Sequence, residues 1–121
     1  MTSQPEQLRD RTKVFALRVI RLFRSLPFKP DAQVLGKQLL RCGTSVAANY
    51  RSVCRSRSKA EFVARMGIVV EESDEAVLWL ELLTESGIVS REKTTELLVE
   101  ARELTAIFTA SQKTARHPRG C

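Results

Sequence analysis

Histidine is nearly missing from this chain of 121 residues: His117 is the only one. With its single imidazole in the last stretch of sequence, the chain is not expected to build a Ser–His–Asp or Cys–His arrangement. A cysteine–histidine zinc site is not expected on the same ground. Cysteine is also scarce. Cys42, Cys54 and Cys121 make an odd count, and the segment from Met1 to Glu6 lacks the apolar core of a secretory signal. A disulfide framework is therefore not expected, and the chain reads as cytoplasmic. Cys42 and Cys54 fall on one predicted helix, roughly 18 Å apart, too far to bridge. No apolar run approaches the ~20 residues that span a bilayer. Only five glycines are present, and no segment alternates apolar and polar residues with the period of two that marks a half-buried strand. Strands are not expected.

What the chain does have is helical periodicity. At 43% hydrophobic and 28% charged residues, its composition is that of an ordinary globular domain. Helix 1 is predicted from Pro5 to Ser25 on the stripe Leu8, Phe15, Val19, Leu22, Leu26, with Pro27 and Pro30 ending it. Helix 2 is predicted from Asp31 to Arg55 on Leu35, Leu39, Cys42, Val46, Tyr50 and Val53. Helix 3 spans Lys59 to Glu85, opened by the capping box of Ser58 and Glu61 and stopped by Gly87. Its stripe is Phe62, Met66, Val69, Ser73, Ala76, Leu80 and Leu83. Helix 4 covers Ser90 to Ser111 on Leu97, Ala101, Leu104 and Phe108, with Ser90 as its cap. Short connections force neighbouring helices antiparallel. The expected fold is all-α, an up-down-up-down four-helix bundle over residues 1–112, followed by a frayed basic tail, 113–121.

Charge is unevenly spread. Residues 1–58 carry a net +9, whereas residues 59–86 carry a net −5. A basic half can attract phosphate backbones. It can equally attract the acidic half of the same chain or of a neighbouring subunit.

A second apolar surface accompanies the core stripes. Val14 and Leu17 lie off the main stripe of helix 1, among Arg11, Arg18, Arg21 and Arg24. Ile68, Trp79 and Leu82 lie opposite Phe62 and Leu80 on helix 3, amid Glu72 and Glu75. A monomer rarely leaves such a surface in water, and Trp and Arg are typical of interface cores. The expected arrangement is a homo-oligomer in which acidic helix 3 packs on basic helix 1 of a neighbour. Val14, Leu17, Arg18, Ile68, Glu72, Glu75, Trp79 and Leu82 form that contact.

Other chemistry is weakly supported. Glu71, Glu72, Asp74 and Glu75 could suggest a two-metal bundle site, but that needs Glu-x-x-His on two helices. A solvated or salt-bridged face is the simpler reading. Gly43-Thr44-Ser45 lacks the frame of a phosphate loop. With Ala47 and Ala48 it more simply permits close helix approach, and Ser45 and Asn49 read as interhelical hydrogen-bond partners. No catalytic site, cofactor or metal is expected. The densest cationic run is Arg51 to Lys59. With Lys37, Arg41, Arg51, Arg55, Arg57 and Lys59 on and after helix 2, and Arg11, Lys13, Arg18, Arg21 and Arg24 on helix 1, the surface suits salt-dependent phosphate contact indifferent to base sequence.

Three stretches carry a family resemblance: Phe15 to Ile20, Gln38 to Arg51, and Lys59 to Phe62 running into Gly67 to Glu75. They resemble the four helix bundle protein family, also called the 23S ribosomal RNA intervening-sequence proteins because some members are encoded in insertions within that rRNA gene. The resemblance covers roughly residues 10 to 112 and implies an antiparallel bundle assembled as a ring, typically a homopentamer. A similar protein is the accessory variability factor of diversity-generating retroelements, a basic pentameric barrel. That likeness implies RNA or DNA, and a reverse transcriptase, as partners. The resemblance marks Arg18, Arg41 and Arg51 as family-pattern positions.

Overall fold

The computed structural model describes residues 3–116. It contains four helices and, among the described residues, no strand: α1 (Gln4–Arg24), α2 (Pro30–Val53), α3 (Lys59–Glu85) and α4 (Arg91–Arg116). The first three starts have a local cause. Ser3 accepts the Glu6 N–H at 3.3 Å, and Pro5 occupies the first turn of α1. Pro30 opens α2, where Asp31 accepts the Ala32 N–H at 2.8 Å. Ser58 accepts the Glu61 N–H at 3.1 Å to begin α3. The return half of that box goes one residue further out, since Glu61 Oε1 accepts from Arg57 N at 3.4 Å. Gly87 ends the α3 segment with φ +82°, a left-handed conformation that a side chain would strain.

The stripes meet in one core, in which Phe15, Val19, Leu39, Val46, Met66, Leu80, Leu104 and Phe108 are shut from solvent. Successive helices pack together and α1 closes against α4, so α1 and α3 stand diagonally and do not touch. Gly43 and Gly36 let α1 and α2 approach. A Cβ at Gly43 would stand 2.8 Å from a Val19 methyl, and one at Gly36 would collide with Leu26 and Phe23. The hydroxyls of the buried Thr12, Ser73 and Thr94 are satisfied locally, whereas Ser56 Oγ on the connector is buried without a partner. Thr12 donates to Arg9 O, Thr84 to Thr94, and Thr105 to Ser73, which itself donates to Val70 O.

Four readings of the sequence change. Helix 2 stops at Val53, because Arg55 and Ser56 turn their N–H groups back to Ser52 and Val53. Arg55 and Arg57 therefore sit on the connector. Helix 4 continues to Arg116 through good helix formers, so residues 113–116 are helical and not frayed; residues 117–121, with His117 and Cys121, lie outside the described residues. Ser45 and Asn49 are partners within α2, not between helices: the Asn49 amide donates to Ser45 O at 2.9 Å and to Ser45 Oγ at 2.7 Å. They are one turn apart, and a short amide closes that gap more easily than it crosses to a neighbour. Phe62 and Leu35, placed on core stripes, are only half-buried at its margin.

Candidate nucleic-acid interface

The predicted cations divide into two groups. Three are held inside the chain. Arg11 grips Glu100 of α4 with two hydrogen bonds, Nη2 at 2.6 Å and Nε at 3.1 Å, and lies 3.7 Å from Glu103. The Glu100 hydrogen bond raises the Arg11 pKa above its ordinary value. Arg18 stands 3.8 Å from Glu96. Arg41 reaches from α2 to α3, with Nη1 3.3 Å from Glu72 and Nη2 3.4 Å from Glu75. The others (Lys13, Arg21, Arg24, Lys37, Arg51, Arg55, Arg57 and Lys59) are exposed, and among the described residues none has a carboxylate within 4.0 Å. A cation without an internal partner keeps its charge available to an outside anion.

Two adjoining clefts lie along the α1–α2 seam. One, of about 500 Å³, is lined by Glu6, Arg9, Asp10, Lys13, Arg51, Cys54 and Arg55. The other, of about 490 Å³, has a floor of Ala16, Leu17, Thr44, Ala47 and Ala48. Lys13, Arg51 and Arg55 border both. The small residues make the seam concave, as expected of Ala47 and Ala48, and the long cations form its rim. Lys13 belongs to the cations read from the sequence, whereas Arg9, which joins it at this site, does not. Their i, i+4 spacing puts them on one face of α1, yet only the placement of α2 identifies that face as the seam.

The acidic side is built differently. Cys42 Sγ and carboxylate oxygens of Glu72 and Glu75 lie within 4.8 Å of one another. The Arg41 guanidinium contacts all three, reaching Cys42 Sγ at 3.3 Å. Its fork thus supplies the positive charge at this spot, and two of the four acids Glu71, Glu72, Asp74 and Glu75 form the salt-bridged face. Burial pushes the Cys42 thiol up from 9.0 to about 11, against the opposing pull of Arg41. An unfolded thiol loses its proton near pH 9, whereas the folded one keeps it to about 11. The unfolded chain then binds fewer protons, so Cys42 is expected to make stability fall as pH rises through that window. Urea unfolding between pH 8 and 11 checks this, and Cys42→Ala should flatten the decline.

Of the predicted contact set, Val14, Leu17, Ile68 and Leu82 are exposed, Val14 by 53%. Glu72, Glu75 and Arg18 are engaged within the chain. Trp79 differs from expectation: it is half-buried and packs on the core, and Leu78 beside it is the exposed residue. The indole Nε1 is buried without a well-formed hydrogen bond, though it is near enough to Cys42 to favour its thiolate. No helix among the described residues is long and apolar enough to cross a membrane.

Fold and surface together define an all-α bundle of four helices with an unpaired cationic seam on one side and an internally paired acidic edge on another. The chain belongs to the 23S rRNA-intervening sequence protein family, whose pattern it matches over residues 7–110. It is also similar to a crystal structure of a protein of unknown function from the S23 ribosomal protein family of Bacteroides thetaiotaomicron. That likeness has a TM-score of 0.84 and 29% identity, over 93% of this chain and 100% of the other. A comparison with curated proteins finds no match.

Proposed function

We propose that the chain is a non-catalytic oligomeric scaffold that binds RNA or other nucleic acid along the α1–α2 seam. The observation that carries this reading is the sharing of Lys13, Arg51 and Arg55 by two adjoining clefts, with no carboxylate among the described residues within 4.0 Å of them, although Glu6 and Asp10 line one of the two. Such contacts address phosphate and not base edges, so binding is salt-dependent and tolerant of sequence. Fluorescence anisotropy against a structured RNA and a duplex DNA, each at two salt concentrations, tests it. Affinity that drops steeply with salt is expected; no binding at low salt refutes the reading.

Assembly belongs to the same proposal. In an up-down-up-down bundle with antiparallel neighbours, α1 and α3 present opposite outer faces. Val14 and Leu17 on one, and Ile68, Leu78 and Leu82 on the other, are exposed apolar residues bordered by opposite charges. Joining unlike faces gives a head-to-tail contact that closes into a ring when the rotation permits, a pentamer by the family resemblance. Ile68→Asp with Leu82→Asp is expected to reduce the mass seen by light scattering to that of one chain, with helical circular dichroism retained. An unchanged mass excludes this contact.

A second reading has its own support. Arg11, Arg18 and Arg41 already pair with carboxylates, which shows how readily this surface engages acidic groups. On that reading the chain is an adaptor whose basic face takes acidic protein partners or neighbouring subunits, and nucleic acid has no part.

A further inference from the structure

Every aromatic ring but one serves the core. Phe15, Tyr50 and Phe108 are buried in it, and Phe23, Phe62 and Trp79 pack against its margin. Phe28 stands apart: it is 97% exposed, in the turn between α1 and α2. The backbone around it is constrained. Leu26 is buried, and its N–H donates to Phe23 O at 3.1 Å. Pro27 and Pro30 have φ fixed by their rings, and a residue that precedes proline is confined to extended backbone. Lys29 shows this, at φ −112° and ψ 147°. The side-chain amide of Gln33 on α2 donates to Pro27 O at 3.1 Å and ties the turn back to the helix. The surroundings are cationic. Arg24 closes α1, Lys29 follows the ring directly, and Lys37 lies two turns into α2. All three are exposed, and among the described residues none has a carboxylate within 4.0 Å. The one acid in this stretch, Asp31, is engaged by the Ala32 N–H at 2.8 Å.

We infer that Phe28 is a stacking platform for an unpaired base of a nucleic-acid strand whose phosphates lie on the cations of α1 and α2. The inference rests on the function proposed above and narrows its ligand to RNA or DNA with single-stranded stretches. A base joins an apolar π face to an anionic backbone, and a lone ring among unpaired cations complements both parts. A protein partner seated on the ring would have to desolvate Arg24 and Lys29 beside it, whereas a phosphate would pair with them. Every base has a π face, so stacking preserves the tolerance of sequence that phosphate contact gives. A duplex keeps its bases stacked on one another and leaves the ring without a partner. Position favours the same ligand. The turn joins the two helices that wall the seam, and Lys13 and Arg24 are about 17 Å apart along α1 at the helical rise. A short stretch of strand spans that distance. The constrained turn holds the ring out before the ligand arrives, so little ordering is left to oppose binding.

The test is fluorescence anisotropy of the full chain with a labelled oligouridylate, which has little structure of its own, and with a blunt RNA duplex. Phe28→Ala is expected to weaken oligouridylate binding about tenfold and to leave duplex binding within about twofold. The slope of log affinity against log salt should not change, since no phosphate contact is lost. Phe28→Leu keeps the apolar bulk without the π face and should lose as much as the alanine variant. Phe28→Trp should bind at least as tightly as the parent. Val34→Ala removes a second exposed apolar side chain, early in α2, and should alter neither affinity. An unchanged affinity in Phe28→Ala, an equal loss on both ligands, or full binding by Phe28→Leu overturns the platform and leaves the seam standing. A fall in light-scattering mass in Phe28→Ala also overturns it and assigns the ring to a contact between copies of the chain. If the parent binds neither ligand at low salt, the seam reading fails and the platform fails with it.

Discussion

Phe108→Ala is expected to lower the unfolding free energy by about 3–5 kcal/mol, the range for truncating a buried aromatic. Phe108 is shut from solvent between Tyr50 and the α4 side of the core, and its ring centroid lies 5.5 Å from that of Tyr50. Truncation removes the ring's burial and leaves a cavity that four helices cannot close without shifting one another. Domains of this size are stable by only about 5–15 kcal/mol, so the variant should sit near the edge of folding. Urea denaturation measures the change in midpoint at constant slope. A loss below about 1 kcal/mol would mean that the core collapses around the missing ring.

Reversing three charges at the seam should have the largest effect on binding. Lys13→Glu, Arg51→Glu and Arg55→Glu together are expected to weaken RNA binding by about 100-fold at low salt and to reduce the slope of log affinity against log salt by about 2. A hundredfold is about 2.8 kcal/mol. The three residues are exposed and make no ion pair among the described residues, so the bundle should survive their replacement. Lys93→Glu on α4, which borders Arg18, Arg21 and Ser25 on the α1–α4 side, is the control and should leave affinity within about twofold, since screening confines a charge outside the seam to roughly 10 Å. If the triple variant binds as the parent does, the seam is not the surface. If it binds normally but no longer assembles, the adaptor reading gains.

Local signals carried most of the fold. Ser58 with Glu61, Gly87, and the prolines on either side of the first turn act within a few residues, so their meaning survives without tertiary context. The end of α4 had no such marker: no glycine or proline interrupts the sequence between Gly87 and Pro118, and the helix simply continues to Arg116. Partners across helices were harder to read. That Arg11, Arg18 and Arg41 stand on outer faces follows from periodicity. Which of them meets a carboxylate depends on the axial offset of α4 and α3, which no single-helix pattern contains. Trp79 was misjudged for a related reason. Helix α3 mixes apolar residues and acids around its circumference, and its wheel does not separate a core margin from an open face. Arg9 escaped because the seam exists only once two helices are placed side by side.

The glycines of α2 have one more effect. By admitting Val19, Phe23 and Leu26 close to the α2 axis, Gly36 and Gly43 draw together two helices whose shared cleft holds four cations against the two carboxylates of Glu6 and Asp10. Unoccupied, the seam repels itself, and the small residues fix how strongly. The other edge of α1 works the opposite way, tied to α4 by Arg11 with Glu100 and by Arg18 with Glu96. Dissolved ions then act on the two edges of a single helix with opposite sign. They relax the strain between α1 and α2 and loosen the tie between α1 and α4. Ionic strength shifts where the bundle is weakest, and a polyanion lying along the seam would do locally what salt does everywhere, without weakening the far edge.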